Sequence, residues 1–350
     1  GTLFFFASQE FTDDLRESVL VRNNMPTALE RVGNFSQTYF GNANGPGQGT
    51  LQAIIDPLTG QAFPGNVIPQ NRINPLGAAM VNLLMMPNDI HNPANNQYNA
   101  ANNLVETLPR HSRTNTTLRL DVVLGERLRG SWRFIKDRQD NISNNAFSPG
   151  IGLTNNAVPG KISTGSITAV LSPSMVNETT FGYAWNSYSW IEPKGEFAED
   201  YRKYYRSAAG IDPPKLYPFG PYRDPQGVGY EYDQADQYPY LPTMNYSGGN
   251  RANLANYNPA SAANRILPAG NRNLRWSFAN NLSWTRGRHS FKFGVSTEWA
   301  SKTEPLSPNY RGNYNFGHDA QNPLNTGNGY ANALLGNFST YTELTDRVDR

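Results

Sequence analysis

The sequence predicts an all-β chain: the early strands of an antiparallel transmembrane β-barrel, with long outward loops and a short helix in the first loop. Three observations point there. Apolar and polar residues alternate over unusually long runs, tight polar turns join those runs in pairs, and the connections between the pairs are long. A period of two marks a strand, because successive Cβ atoms point to opposite faces. Membrane-spanning barrels carry short turns at one end and long loops at the other. A soluble sandwich has no reason to put its long connections at alternate positions.

Thr2 to Glu10 is a nearly continuous apolar run and reads as a first strand, with Phe11 to Arg22 as a charged, solvated extension. Met25 to Asn88 is punctuated by prolines, and Gly41 to Gly49 is a flexible tract. Within it Asn74-Pro75 predicts a helix running to Met85. Asn caps it, Pro takes the first helical position and Pro87-Asn88 stops it. Met80, Leu83 and Leu84 share a face of that helix, expected to pack on a neighbouring sheet. His91 to Arg110 is an Asn-rich linker. Alternation then returns: Thr116, Leu118, Leu120, Val122 and Leu124 oppose Thr117, Arg119 and Asp121. The turn Gly125-Glu126-Arg127 leads into Leu128, Trp132 and Phe134 against Arg129, Ser131 and Arg133.

A second hairpin is predicted from Ile162 to Leu171 and Met175 to Trp190, turning at Ser172-Pro173-Ser174. Met175, Phe181, Tyr183 and Trp185 lie on one face, with Glu178, Gly182, Ala184 and Asn186 on the other. Ile191 to Asn273 has no convincing periodicity and reads as a long loop. The clearest hairpin follows, from Leu274 to Trp299. Leu274, Trp276, Phe278, Leu282 and Trp284 point one way, with only Asn280 breaking the apolar row. After Arg286-Gly287-Arg288-His289, the residues Phe291, Phe293, Val295 and Trp299 share one face with Thr297. Each run covers about 11 residues, enough for a tilted strand to cross a bilayer and roughly twice the usual globular length. Tryptophans near the run ends suit a membrane interface. This hairpin taken alone fits a long sandwich hairpin as well as a lipid-facing one. The nine apolar residues named here are nevertheless the expected lipid-facing set. Tyr310 to Phe316 reads as a short strand, Asn325 to Leu335 as a turn entering a helical turn, and Gly336 to Arg347 as the start of another strand.

Composition narrows the function. The chain has 350 residues, a net charge of +2 and only 17% charged residues, so it lacks the concentrated basic face that nucleic-acid binding needs. Aromatic, glycine and proline content is that of strands and loops rather than helices. Mean hydropathy is −0.61 and no stretch reaches about 18 apolar residues, so no transmembrane helix is expected. With 0 Cys, disulfide and thiolate chemistry are excluded, and the 4 His are too scattered to suggest a metal cluster. No Gly-x-Ser-x-Gly, His-Glu-x-x-His or phosphate-cradling Gly-Lys-Ser/Thr motif occurs. Asp13-Asp14, Glu196 and Glu199-Asp200 read as solvated charge. No cofactor and no enzymatic activity is expected.

Eleven of the 19 tyrosines fall between Tyr201 and Tyr257. Tyrosine offers a rigid ring and a hydroxyl at low entropy cost, which suits a recognition surface. The expected ligand contacts are Tyr204, Tyr205, Tyr217, Tyr222, Tyr230, Tyr232, Tyr238 and Tyr240. The same rings also suit packing the loop on itself.

Several phrases carry a resemblance. Leu3-Phe4-Phe5-Phe6-Ala7-Ser8-Gln9-Glu10 resembles the first barrel strand of TonB-dependent outer-membrane transporters, in particular the Oar-like, carboxypeptidase-regulatory-domain type. Similar matches continue in order. They are Pro26 to Ser36, Asp56-Pro57-Leu58-Thr59-Gly60, Phe63 to Pro69, Arg72-Ile73-Asn74-Pro75, Leu171 to Glu178 and Gly327 to Gly336. The resemblance implies a closed outer-membrane barrel around a plug, importing a nutrient ligand with energy coupled through TonB. Siderophore, glycan, peptide and cobalamin are all open as ligands. The implied partners are outer-membrane lipid, the extracellular ligand, and the TonB complex through an N-terminal part. Neither TonB box, plug nor aromatic-ended C-terminal strand is found, and both termini look cut. The expectation is therefore a fragment, residues 1–350 of a larger barrel domain, with long loops at about 23–112 and 191–273. The alternative is a secreted β-sandwich that binds or adheres through the Tyr-rich loop.

Overall fold

The computed structural model describes residues 1–15, 19–39, 50–88, 103–107, 110–144, 153–191, 206–214, 216, 241–247, 254–257, 261–262, 265–266, 269–303 and 312–343. The elements in chain order begin with β1 (Thr2–Leu15), β2 (Val19–Asn23), α1 (Ala28–Arg31), α2 (Pro75–Asn82), β3 (Asn103–Thr107), β4 (Arg110–Val123) and β5 (Leu128–Asn144). There follow β6 (Leu153–Ser172), β7 (Met175–Ile191), α3 (Arg206–Ala209), β8 (Thr243–Asn245), β9 (Ser261–Ala262) and β10 (Arg265–Ile266). The last are β11 (Ala269–Arg286), β12 (His289–Thr303), β13 (Asn313–Asn315), α4 (Gly329–Leu335) and β14 (Thr340–Thr342).

Seven long strands form one antiparallel sheet in the order β1-β4-β5-β6-β7-β11-β12. All three predicted hairpins are present, and their strands are longer than the alternation alone indicates, at 14 to 20 residues. β6 begins at Leu153 rather than Ile162. Its first residues do not alternate, yet their backbone pairs with the end of β5, from Lys161 opposite Lys136 to Leu153 opposite Asn144. The sheet is open, with β1 and β12 at its edges.

The register carries the two faces unbroken across all seven strands. One row runs Phe5, Leu120, Trp132, Gly165, Phe181, Phe278, Thr297. The next runs Ala7, Leu118, Phe134, Ser163, Tyr183, Trp276, Trp299. On the opposite face the corresponding row is Phe6, Arg119, Arg133, Thr164, Gly182, Ser277, Glu298. A one-residue slip anywhere would exchange the faces, so the alternation itself fixes the pairing.

The tight turns after β4, β6 and β11 all lie at one end of the sheet. At the other end the chain leaves β1, β7 and β12 by long connections. Parts of these build a hydrophobic core, shared by Met25, Phe35, Ile54, Ile68, Met80, Met244, Tyr246, Tyr257, Tyr330 and Leu334. Here α2 takes the predicted Asn74 cap, whose side chain accepts from the Gly77 N–H. It packs on α4, not on a sheet, because a Cβ on Gly77 would collide with the Ala333 carbonyl and only glycine lets the backbones approach. Asn328 caps α4, and Gly336 closes it in the left-handed conformation, φ 75°. α1 has a capping box: the Glu30 N–H donates to Thr27 Oγ1 and the Thr27 N–H to Glu30 Oε2.

Polar side chains tie this head together across the chain. Gln52 Nε2 donates to the Gly327 carbonyl at 2.8 Å, and Asn328 Nδ2 to Gln52 Oε1 at 3.1 Å. The Tyr330 hydroxyl donates to the Asn24 carbonyl at 2.6 Å and lies 3.2 Å from that of Ala255. The Arg31 guanidinium donates to the carbonyl of Val81 in the last turn of α2 and to those of Leu84 and Met85 just beyond it, satisfying acceptors that a helix end leaves open.

Candidate functional site

Three surfaces are candidates for function. The first is the apolar side of the sheet. Leu274, Trp276, Phe278, Leu282 and Trp284 of β11 share it with Phe291, Phe293, Val295 and Trp299 of β12, as the alternation predicts. Trp276 stands opposite Trp299, Leu282 opposite Phe293, and Trp284 opposite Phe291. A second layer of protein would enclose these rings. Instead Trp276, Phe278 and Phe293 are 38%, 40% and 55% exposed, a face too large and too apolar for water. Among the described residues no second sheet covers it.

The break at Asn280 has a partner. Asn280 Nδ2 donates to Asn177 Oδ1 and Asn177 Nδ2 to Asn280 Oδ1, each at 3.0 Å. Thr179 Oγ1 accepts a further bond from Asn280 at 2.8 Å. Two amides that satisfy each other sit in apolar surroundings far more cheaply than one alone.

The second surface is the polar side. Arg113 grips Asp137 through two bonds of 2.9 and 3.1 Å, and Arg119 grips Asp121 through two of 2.7 and 2.9 Å. Arg275 pairs with Glu298. Several charges of this face are thus paired, as befits a wetted wall.

The third lies in the head. Leu76 and Met80 of α2, with Pro214, Tyr314, Phe316, Phe338 and Tyr341, line a groove of about 270 Å³. Tyr314 is its centre, with ring centroids 5.8 Å from Phe316, 5.2 Å from Phe338 and 4.4 Å from Tyr341. The Tyr341 hydroxyl donates to Glu343 Oε2 at 2.6 Å, and the same oxygen accepts from the Leu216 N–H at 2.7 Å. Burial raises the Tyr314 phenol. Burial and the Glu343 carboxylate raise that of Tyr341, so both remain neutral donors at ordinary pH. Such a groove suits a ligand with a ring or apolar surface and a few polar groups at its edge.

Sequence reasoning missed this groove. Its one local signal is the Tyr314-Asn315-Phe316 alternation; the rest of its lining comes from distant segments. The expected contacts Tyr204, Tyr205, Tyr217, Tyr222, Tyr230, Tyr232, Tyr238 and Tyr240 lie outside the described residues. Two other tyrosines of that cluster, Tyr246 and Tyr257, are fully buried in the head core and serve packing.

No curated protein and no solved structure matches the chain. The family model described as "Outer membrane beta barrel domain" matches residues 1–350. An antiparallel sheet with one exposed apolar face, one wetted face, tight turns at one end and long connections at the other is the architecture such a domain requires. The chain belongs to the outer membrane β-barrel domain family and is an outer-membrane protein.

Proposed function

We propose that this domain is part of an outer-membrane receptor that imports an extracellular nutrient ligand, with energy coupled through TonB. The observation that carries the reading is the division between the two ends of the sheet. All three tight turns lie at one end, and the long connections at the other fold into a head with its own core and an aromatic groove. A receptor must hold a ligand outside before moving it inward, and a packed head above a barrel wall supplies such a platform. The ordered phrases resembling the Oar-like transporters support the same reading. In it the apolar face meets outer-membrane lipid and the polar face lines the lumen. The groove around Tyr314, together with the tyrosines between 204 and 240, contacts the ligand. The TonB complex engages an N-terminal part. No cofactor and no covalent chemistry enter.

Uptake of labelled siderophore, glycan, peptide and cobalamin by cells with and without the gene tests this. The expected result is one ligand class whose import disappears on deletion and after collapse of the proton gradient. Import that survives both, with only cell-surface adhesion lost, would point to a binding or adhesion role instead.

A further inference from the structure

We propose that Lys136 and Lys161 form a binding site for the phosphate groups of lipid headgroups in the outer leaflet of the membrane. This deepens the lipid-facing reading of the apolar face and rests on it. The two lysines stand directly opposite each other on β5 and β6, and both are exposed. Like charges facing each other across a strand pair destabilise a sheet. Arg119 opposite Arg133 is relieved by Asp121, and an anion between the two lysines would relieve theirs. Among the described residues neither lysine has a carboxylate partner. Lys161 only places its Nζ 5.5 Å from the Trp185 ring centroid. Several other cations are treated differently. Arg138, one step further along the same face, is gripped by Asp140 at 2.8 and 3.3 Å, and Arg113, Arg119 and Arg275 of the polar face have the carboxylate partners described above. Asp13 and Asp140 belong to a row two steps beyond the lysines.

The level of the pair on the sheet identifies the anion. Its row lies immediately beyond the aromatic row of Phe134, Tyr183, Trp276 and Trp299, toward the long connections. A step of two residues is about 7 Å, the distance from an interfacial aromatic girdle into the headgroups. Long loops mark the outer side of such barrels, so these are outer-leaflet headgroups. Arg272 of β11 lies on the same face one row further out, and its Nε is buried with no partner. It offers a third cation at the edge of the site. Ammonium groups bind phosphate through charge-assisted hydrogen bonds, which lose strength in salt.

The test uses the whole chain in detergent micelles. Its probes are bisphosphorylated lipid A, the same lipid after dephosphorylation, and inorganic phosphate. The phosphorylated lipid should bind in a salt-sensitive manner. Affinity should fall about 10- to 30-fold in the K136Q/K161Q pair and be retained in K136R/K161R. Equal binding of the dephosphorylated lipid by the unaltered protein would overturn the proposal without any variant. So would unchanged affinity in the glutamine pair, and inorganic phosphate that competes as well as the lipid would reveal a free-anion site instead. Membrane fractionation and faster migration of the unheated protein on a gel are read in parallel. Protein that fails both defeats the lipid-facing reading itself, whereas protein that passes both yet ignores the phosphates defeats only this site.

Discussion

Gly77 of α2 lies so close to the carbonyl of Ala333 in α4 that no side chain fits between the two helices. The contact joins segments that leave the sheet at different strands, and Met80, Val81, Ala333 and Leu334 are buried around it. Gly77→Val should therefore push α2 and α4 apart and cost about 1–3 kcal/mol of head stability. Limited proteolysis should cut the variant faster within 24–88, while gel migration of the unheated protein stays unchanged. A variant as resistant as the original would show that the helices do not meet this closely.

Phe278 and Ser277 are chain neighbours on opposite faces of β11, so one pair of substitutions reads both media. Phe278→Arg places a cation on the apolar side, in a row with Phe181 and Trp132 one step inside the aromatic row, and should cost about 1–3 kcal/mol, between the interfacial and midplane values. Ser277→Arg stands opposite Glu298 in a charged, wetted wall and should cost much less. Denaturant titration of the protein folded into vesicles gives both numbers. Equal costs would mean that the two faces do not meet different solvents.

Arg72 donates to Asp56 at 2.6 Å and holds the Asp56 carboxyl below its ordinary value of 3.8. The same guanidinium lies 5.1 Å from the Phe63 ring centroid, so the pair staples a charged surface to a buried ring. A carboxyl lowered on folding stabilises the fold fully above its unfolded pKa. That contribution fades as pH falls through the folded value. Acid unfolding of the head, followed by tryptophan-independent near-ultraviolet signals of tyrosine, should steepen below about pH 4. Arg72→Leu should flatten this acid limb and leave the neutral range less stable throughout. An unchanged acid limb would mean that the pair contributes nothing.

The sheet was legible in the sequence because a half-wetted strand writes its environment every second residue. Trp276 to Trp284 and Phe291 to Trp299 needed only a period of two. The start of β6 was not legible, since the sequence from Leu153 to Lys161 has no apolar–polar alternation although its backbone pairs with β5. The caps of α2 and α4 are local, and Asn74-Pro75 announces itself. The Thr27 and Glu30 capping box was equally local and passed unread within a proline-broken stretch. The head core was illegible for a different reason. Gln52 bonds to Gly327 and Asn328, and Tyr330 to Asn24, across hundreds of residues. No window of sequence contains both partners. The groove of Tyr314 is built from the same kind of distant contact.

Asn177 and Asn280 offer a measurement of how the apolar face tolerates polarity. Each amide satisfies the other at 3.0 Å, and Thr179 takes a further donor. Asn280→Leu restores the apolar row but leaves Asn177 only its longer 3.3 Å bonds to the Thr179 hydroxyl and the Asn281 carbonyl, so the single change should destabilise the sheet despite its added hydrophobicity. Asn177→Leu should do the same from the other side. The double change removes both amides and should recover most of the loss, because hydrocarbon then meets hydrocarbon. The coupling extracted from the four proteins should be about 0.6 kcal/mol, the usual worth of a side-chain bond in lipid, with about 1.7 kcal/mol as the ceiling. Additive effects, with the double variant as weak as the sum of the singles, would mean that the amides do not depend on each other and that water reaches this face.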